Sequence, residues 1–350
     1  LNASRKGVQA AYGFRILFRH QSRRQPATLS QAGATGLLFF ASDNSVVYRW
    51  PIALSVLSVA LLLAACSRPP NNVVSRAETR QVVDESGRTV NVPTQVTRLV
   101  TLAPNLTEIV FAIGAGGRVV GNTTYCDYPA AAKQVAKVGD TLQPSVERII
   151  ALHPQLILVS TASQLEAFTR QLDGQGIAVY VTDPHDLEGM LQSISALGDL
   201  LNESEAATRL VNDLRARIAA TETRVKETKP VTVFYQLSPE PLYTAGRDSF
   251  VTDLIRRAGG ISVTRDVPGA WPRYSAESAI AAQPEAIIMA TAESMGGSSN
   301  AGVAAALNKS PAAVAGRVYK INGDYLSRPG PRLVDGLEQI ARALHPDAFK

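Results

Sequence analysis

Short apolar runs alternate with longer segments of helical spacing along most of this 350-residue chain. Residues 98–102 form an apolar run stopped by Ala103, Pro104 and Asn105, and residues 107–113 then carry helical spacing as far as Gly114. Residues 119–121 read as the next strand. A helix, a proline and a strand follow from residue 145, then a helix at 164–174, a strand at 178–181 and a helix at 187–201. Residues 205–227 contain neither proline nor glycine, and Ala207, Leu210, Val211, Leu214, Ile218 and Val225 keep to one helical stripe, with Ser204 a good N-cap. Past Pro230 the alternation restarts: a strand at 231–237, a loop at 239–246, a helix at 249–257 ended by Gly259, and again helix, proline and strand at 275–289. A helix near 302–307, a strand at 317–321, a loop through 324–332 and a helix at 333–344 complete the pattern. Such alternation predicts parallel sheets with helices on both faces.

One piece of the pattern occurs twice. Residues 145–159 and 275–289 align without a gap, pairing Ser145 with Ser275, Glu147 with Glu277, Ile150 with Ile280 and Pro154 with Pro284. In each copy the serine reads as an N-cap, the proline ends the helix because it lacks an N–H, and the apolar run after it is too short for anything but a buried strand. The duplication predicts two lobes of similar build. The long helix between the copies, about 35 Å at ~1.5 Å per residue, reads as a rigid connector, or otherwise as a structural helix packed on one lobe. The boundaries that follow are 1–65 for an upstream segment and leader, 66–96 for a tether and N-terminal segment, 97–203 and 229–350 for the lobes, and 204–228 for the connector.

Charge is uneven along the chain. Residues 1–65 hold seven basic side chains and one acidic, which leaves 28 basic and 29 acidic from Cys66 onward. The overall +5 therefore supplies no footprint for nucleic acid on the lobes. Arg49, the uncharged run 51–65 and the small residues before Cys66 describe a secretory signal peptide, too short to span a bilayer. Its end resembles the lipobox of bacterial lipoproteins, which makes Cys66 the expected lipidation site, with a plain N-terminal membrane anchor as the rival reading. Residues 1–48 fit neither leader nor domain, and the expectation is a start site placed too far upstream. Cys126 is then the only cysteine of the mature part, expected to be a buried apolar side chain rather than a reactive thiol.

The sequence offers no metal-ligand spacing among His153, His185 and His345, no phosphate loop and no nucleophile elbow. Neither a metal nor a cofactor is expected. The run Asp183, Pro184, His185, Asp186 is explained by Asp186 as an N-cap. An enzymatic role through Asp127 or Asp183 lacks a partnering nucleophile or base. What remains is a set of aromatic and charged residues in loops between elements: Tyr125 and Tyr128, Tyr243, Trp271, and Tyr325 with Arg328. Loops at the carboxyl ends of parallel strands are where ligands bind, and aromatic rings there suit a large, flat, partly polar molecule.

Residues 98–105 with Glu108, the run 125–129, residues 146–152 with Pro154, Trp271–Pro272 with Ser275 and Glu277, and Asp324 with Arg328 and Arg332 together resemble the periplasmic cobalamin-binding proteins of bacterial ABC importers. These belong to a wider group of two-lobed solute-binding proteins that includes iron-siderophore and haem receptors. The resemblance covers residues 97–344 and implies two Rossmann-like α/β lobes joined by one long helix, the class III periplasmic binding protein fold. It implies no enzyme but a monomeric, lipid-anchored binding protein outside the cytoplasmic membrane that passes a cobalamin-like ligand to an ABC permease dimer with its ATPase. Iron-siderophore or haem binding is the alternative, and a scavenger without a permease a further one. Ligand-binding residues implied are Tyr125, Tyr128, Tyr243, Trp271, Asp324 and Arg328, and permease-docking residues Glu147 and Glu277. Two positions depart from the cobalamin pattern, Thr141 in place of a frequent tryptophan and Leu237 in place of an aromatic. Helix-dipole stabilisation, worth about 0.3–1 kcal/mol, would by itself explain a first-turn glutamate; its duplication on both lobes fits two-point docking.

Overall fold

The computed structural model of the protein describes residues 78–141, 143–160, 172, 175–291 and 302–350. The leader, Cys66 and nearly all of the helix expected at 164–174 lie outside the described residues. Residues 77–350 form one compact unit.

Two four-stranded parallel sheets form its frame. The first has the order β4–β3–β5–β6, from β3 (Leu99–Thr101), β4 (Val119–Asn122), β5 (Leu156–Ser160) and β6 (Ala178–Thr182). The second has the order β10–β7–β11–β12, from β7 (Val231–Gln236), β10 (Gly260–Ser262), β11 (Ala286–Thr291) and β12 (Val318–Asn322); the short strands β8 (Ser238–Pro239) and β9 (Leu242–Tyr243) pair in the loop after β7, and a four-residue helix, α7 (Pro311–Val314), precedes β12. Each sheet places its first strand between its second and third. The internal duplication is therefore topological as well as local, and the two-lobed α/β expectation holds.

The duplicated motif folds the same way twice. Ser145 caps α2 (Val146–Ala151) by accepting from the Arg148 N–H, and Ser275 caps α6 (Ala276–Ala281) by accepting from the Ser278 N–H. Just before each proline the backbone turns into the left-handed region, at His153 (φ 46°) and Gln283 (φ 42°), a turn of the kind that closes helices. After each proline a polar side chain then ties the new strand to the first strand of its sheet. Gln155 Oε1 accepts from the Thr97 and Arg98 N–H groups, at 2.7 and 3.1 Å, while Glu285 Oε2 accepts from the Thr232 N–H at 2.8 Å.

Between the lobes runs α4 (Ser204–Val225), 22 residues long and so about 33 Å. Its cap differs from the sequence reading: Glu203 is the N-cap residue, and Ser204 is already helical, its hydroxyl donating to Asp199 Oδ1 at 2.6 Å. Ala207, Val211, Leu214, Ile218 and Val225 are buried, as the stripe predicts, in one core cluster that also contains Leu197 and Leu200 of the first lobe and Leu254 and Leu337 of the second. Burying each such aliphatic side chain contributes about 1.5–3 kcal/mol. Ion pairs fasten the polar side: Arg215 to Glu188 of α3 (Leu187–Leu200), and Arg217 to Asp335 and Glu338 of α9 (Leu333–Leu344). The helix is bonded to both lobes, which fits a connector and not a helix packed on one lobe.

Four other segments depart from the sequence reading. Part of the stretch read as tether and N-terminal segment forms an antiparallel hairpin, β1 (Thr79–Val83) with β2 (Thr89–Pro93). It docks at the β6 edge, where Arg88 reaches the Val179 carbonyl and the Glu85 N–H bonds the Val181 carbonyl. Such cover satisfies an otherwise open sheet edge. The first helix, α1 (Pro104–Ala112), starts three residues earlier than its apolar spacing suggests, because Pro104 suits the opening turn where no N–H is needed. The loop expected at 324–332 opens with a short helix, α8 (Asp324–Ser327), and the helix expected at 302–307 is a single tight turn at Ala305–Leu307.

Candidate functional site

In both sheets the strand order switches beside the first strand, and the loops after β3, β4, β7 and β12 leave from the carboxyl ends of strands, the end at which parallel sheets bind ligands. Two of these loops meet across the lobes. Glu108, in α1 of the first lobe, has a side chain 1% exposed and accepts from two arginines of the second. Arg332 grips it with both faces of its fork, Nε to Oε2 at 2.9 Å and Nη2 to Oε1 at 2.5 Å, and Arg328 Nη1 lies 3.3 Å from Oε1. Arg328 Nη1 also donates to Asp127 Oδ1 of the first lobe at 2.7 Å, and its Nη2 pairs with Asp324 Oδ1 at 3.0 Å.

Local chemistry explains why these groups can meet. Asp324 opens α8, Arg328 is the extended residue that ends it, and Arg332 is the N-cap residue of α9, so the junction of the two helices brings the three side chains together. Gly336 of α9 lets the two helices close: an added Cβ would lie 2.5 Å from the Tyr325 carbonyl oxygen. Burial pushes the Asp127 carboxyl up, but the hydrogen bond and charge of Arg328, with the charge of Arg332, hold it below the usual range. Burial likewise works against the Arg332 charge, and the Glu108 hydrogen bond outweighs it. Bidentate, charge-assisted pairs of this kind are the strong ones, and removing one partner of a buried pair costs about 3–5 kcal/mol.

Beside this cluster stand the aromatic residues of the β4 loop. Tyr125 is 44% and Tyr128 47% exposed, the two exposed aromatic side chains among the described residues. The Arg332 guanidinium lies 4.1 Å from the centre of the Tyr128 ring and 5.4 Å from that of Tyr325. The other residues expected at the ligand are placed differently. Asp324 and Arg328 are buried, at 8% and 7% exposure, in the ion cluster. Trp271 packs against Tyr235 and, edge on, against Phe250, while Tyr243 forms an isolated bridge with Arg273. Leu237 packs on the core, and Thr141 is exposed.

A second contact crosses the lobes at the helix that follows β7 and its loop. Asp253, in α5 (Phe250–Arg257), accepts from the Leu187 N–H at the start of α3, at 3.4 Å. It is held mainly within its own lobe, by Arg257 at 2.8 Å and Arg256 at 2.5 Å. Next to it opens a groove of about 830 Å³ lined by His185, Asp186, Arg247, Ser249, Asp253 and Arg265 among others. Asp186 caps α3 through the Gly189 N–H, as its sequence suggests.

Glu147 and Glu277 both lie exposed in the first turns of α2 and α6. Its own backbone N–H and the Ser145 hydroxyl hold the Glu147 carboxyl below its ordinary value. Cys126 is buried, with Sγ 3.2 Å from the Thr123 hydroxyl. Among the described residues no group of acids, histidines and cysteines could hold a metal ion, and no helix is long and apolar enough to cross a membrane.

Residues 99–325, with this pair of sheets and the helix between them, match the periplasmic binding protein family. The chain belongs to that family. A relative named as an uncharacterized ABC transporter substrate-binding lipoprotein, YvrC of Bacillus subtilis, is 30% identical over 315 residues, 86% of this chain and 99% of that one. Among solved structures, the periplasmic vitamin B12 binding protein BtuF of Vibrio cholerae superposes with a TM-score of 0.62 at 28% identity, covering 73% of this chain and 98% of that one. The periplasmic heme-binding protein RhuT of Roseiflexus sp. RS-1 gives 0.64 at 27%, covering 72% and 99%. The family fixes the class: this is a substrate-binding protein of the ABC-transporter type and not an enzyme. Sequence reasoning assigned no role to Glu108, Arg332 or Asp253. Glu108 and Arg332 stood among the residues that carry the family resemblance, and that was the signal for this part of the site.

Proposed function

We propose that this protein binds a cobalamin-like corrinoid between its lobes and hands it to an ABC permease dimer, with Cys66 as its lipid anchor. The observation that carries the reading is the exposed pair Tyr125 and Tyr128, set in one loop beside an ion cluster that spans the lobes. Two half-exposed rings at such a junction offer flat apolar contact with polar tips, which a large ring system needs. Trp271 and Tyr243 would extend that lining from the second lobe. Charge favours the corrinoid over its rivals. The cluster sets Glu108, Asp127 and Asp324 against Arg328 and Arg332, with Lys137 near enough to interact with the Asp127 charge, so its arginines are already matched by acids. A ligand carrying free carboxylates gains nothing from arginines already neutralised, whereas one with amide side chains loses nothing. Haem is the second reading, because an exposed tyrosine phenolate can bind its iron and a heme-binding protein is among the similar structures.

Glu147 and Glu277, one per lobe in equivalent first turns, are read as the docking carboxylates for basic residues on the two permease subunits. The test of the ligand is titration of the purified protein with cyanocobalamin and with hemin, followed by calorimetry and absorption. One-to-one binding of cyanocobalamin is expected. Binding of hemin with no heat from cyanocobalamin would move the assignment to the haem reading.

A further inference from the structure

We infer that Arg332 is a positioning residue, which fastens the second lobe to Glu108 of the first at one rim of the cleft and thereby presents the Tyr128 ring to the ligand. The inference rests on the cleft reading above and adds a residue to it. Three observations converge. Glu108 is an acid on a nearly fully buried helix face, and its described ion-pair partners are both arginines of the other lobe. Arg332 uses Nε and Nη2 on that one carboxylate, which fixes the plane of its guanidinium. The same guanidinium lies 4.1 Å from the centre of the Tyr128 ring, a cation–π distance, although Tyr128 itself is about half exposed. An exposed tyrosine is ordinarily free to change rotamer; here one side of it rests on a group that cannot turn. A lysine at 332 would keep the charge but not the fork, so it could neither hold Glu108 at two points nor lie flat on a ring.

Anion capture does not explain Arg332, since its polar contacts are made to Glu108, with Asp324 Oδ2 a further 3.9 Å away. A merely local structural role does not explain it either, because the partners lie 224 residues apart in a different lobe.

The test is a double-substitution cycle, Arg332→Lys and Tyr128→Leu, read as affinity for whichever of cyanocobalamin and hemin the unaltered protein binds. Tyr128 is exposed and lysine keeps the buried charge, so both variants are expected to fold, with urea midpoints as the control. Each single change is expected to lower affinity about tenfold, and the double to fall little further than either. Additive losses would overturn the inference while leaving the corrinoid reading intact. Failure of the unaltered protein to bind either ligand would remove that reading instead. A ligand-free measurement then decides the fastening: spin labels on Arg148→Cys and Ser278→Cys, one per lobe, in full-length protein carrying Cys66→Ser. Arg332→Lys is expected to broaden the inter-label distance distribution, and an unchanged distribution would overturn the inference.

Discussion

The two places where an acid of one lobe reaches the other make an instructive pair. Glu108 lies on α1, the helix after the first strand of the first lobe, and Asp253 on α5, the corresponding helix of the second. Both point across the lobe boundary, but Glu108 is gripped by Arg332 and Arg328 of the opposite lobe, whereas Asp253 is gripped by arginines of its own helix and spares a single 3.4 Å contact for the Leu187 N–H. One flank is thus bonded by charge and the other only touched. The 830 Å³ groove opens on the touched flank. Repeated architecture therefore does not entail repeated chemistry: the frame is duplicated, and the asymmetry of its fastening decides where room is left.

The sharpest way to break this comparison is to remove each acid. Glu108→Ala leaves Arg332 and Arg328 short of a buried partner and should destabilise the protein by about 3–5 kcal/mol. Asp253→Ala leaves Arg256, 66% exposed, free to reach water, while Arg257 keeps Glu222 at 2.6 Å, so a loss of about 1–2 kcal/mol is expected. Urea unfolding measures both. Equal losses would mean that the flanks are equivalent and that the distinction drawn from their partners is empty.

How far each flank was legible in the sequence follows the same division. The alternation of elements, the duplicated serine caps and the helix-ending prolines could be read because period, cap and breaker act within a few residues. Asp186 and Ser145 cap their helices as expected. Ser204 did not, because Glu203 sits one position earlier and the serine finds Asp199 instead. The Glu108–Arg332 bond had no such local trace: 224 residues separate the partners, and no rule acting within a few residues pairs them. The β1–β2 hairpin was hidden for a related reason. Val82, Val90 and Val92 do face the core, but the strands are short, Val83 faces solvent, and the docking at β6 is completed by backbone groups and Arg88, which leave no trace in the local pattern.

A smaller effect comes from pH. Asp127 at the bonded flank and Asp253 at the touched one both have carboxyls held below the ordinary range; burial acts against this in each, and the neighbouring arginines prevail. A folded pKa lower than the unfolded value of about 3.9 means that the unfolded chain binds more protons in between. The stability each contributes is therefore present above about pH 4 and lost as pH falls through the folded value. Urea midpoints should stay level from pH 7 to 5 and decline below 4. The side chain of Asp253 is 15% exposed and that of Asp127 38%, and solvent weakens the latter. Asp253→Asn should accordingly flatten the acid limb more than Asp127→Asn. The reverse order would place the stronger coupling at the bonded flank and undo the weighting by exposure.

The smallest effect on the folded protein is expected where the duplication is most faithful. Glu147 and Glu277 are exposed at equivalent first-turn positions, and their removal leaves no buried charge without a partner. Reversing both, Glu147→Lys with Glu277→Lys, gives up only helix-dipole stabilisation, within about 1 kcal/mol for each. Ligand affinity should be unchanged, since neither residue touches the cross-lobe cluster in the described contacts. If these two carboxylates meet basic residues of a two-subunit permease, uptake by cells should nevertheless collapse in the double variant and fall only partly in each single one, because two charge contacts contribute to one docking event. The single variants also probe a difference between the copies at this very position. The Ser145 hydroxyl donates to Glu147 Oε2 at 3.0 Å, while that of Ser275 donates to Ser278. A hydroxyl that orients the carboxylate before docking lowers the entropy lost on contact, so Glu147→Lys should impair uptake more than Glu277→Lys. Equal impairment would show that this pre-orientation adds nothing, and full uptake in the double variant would remove both residues from the docking surface.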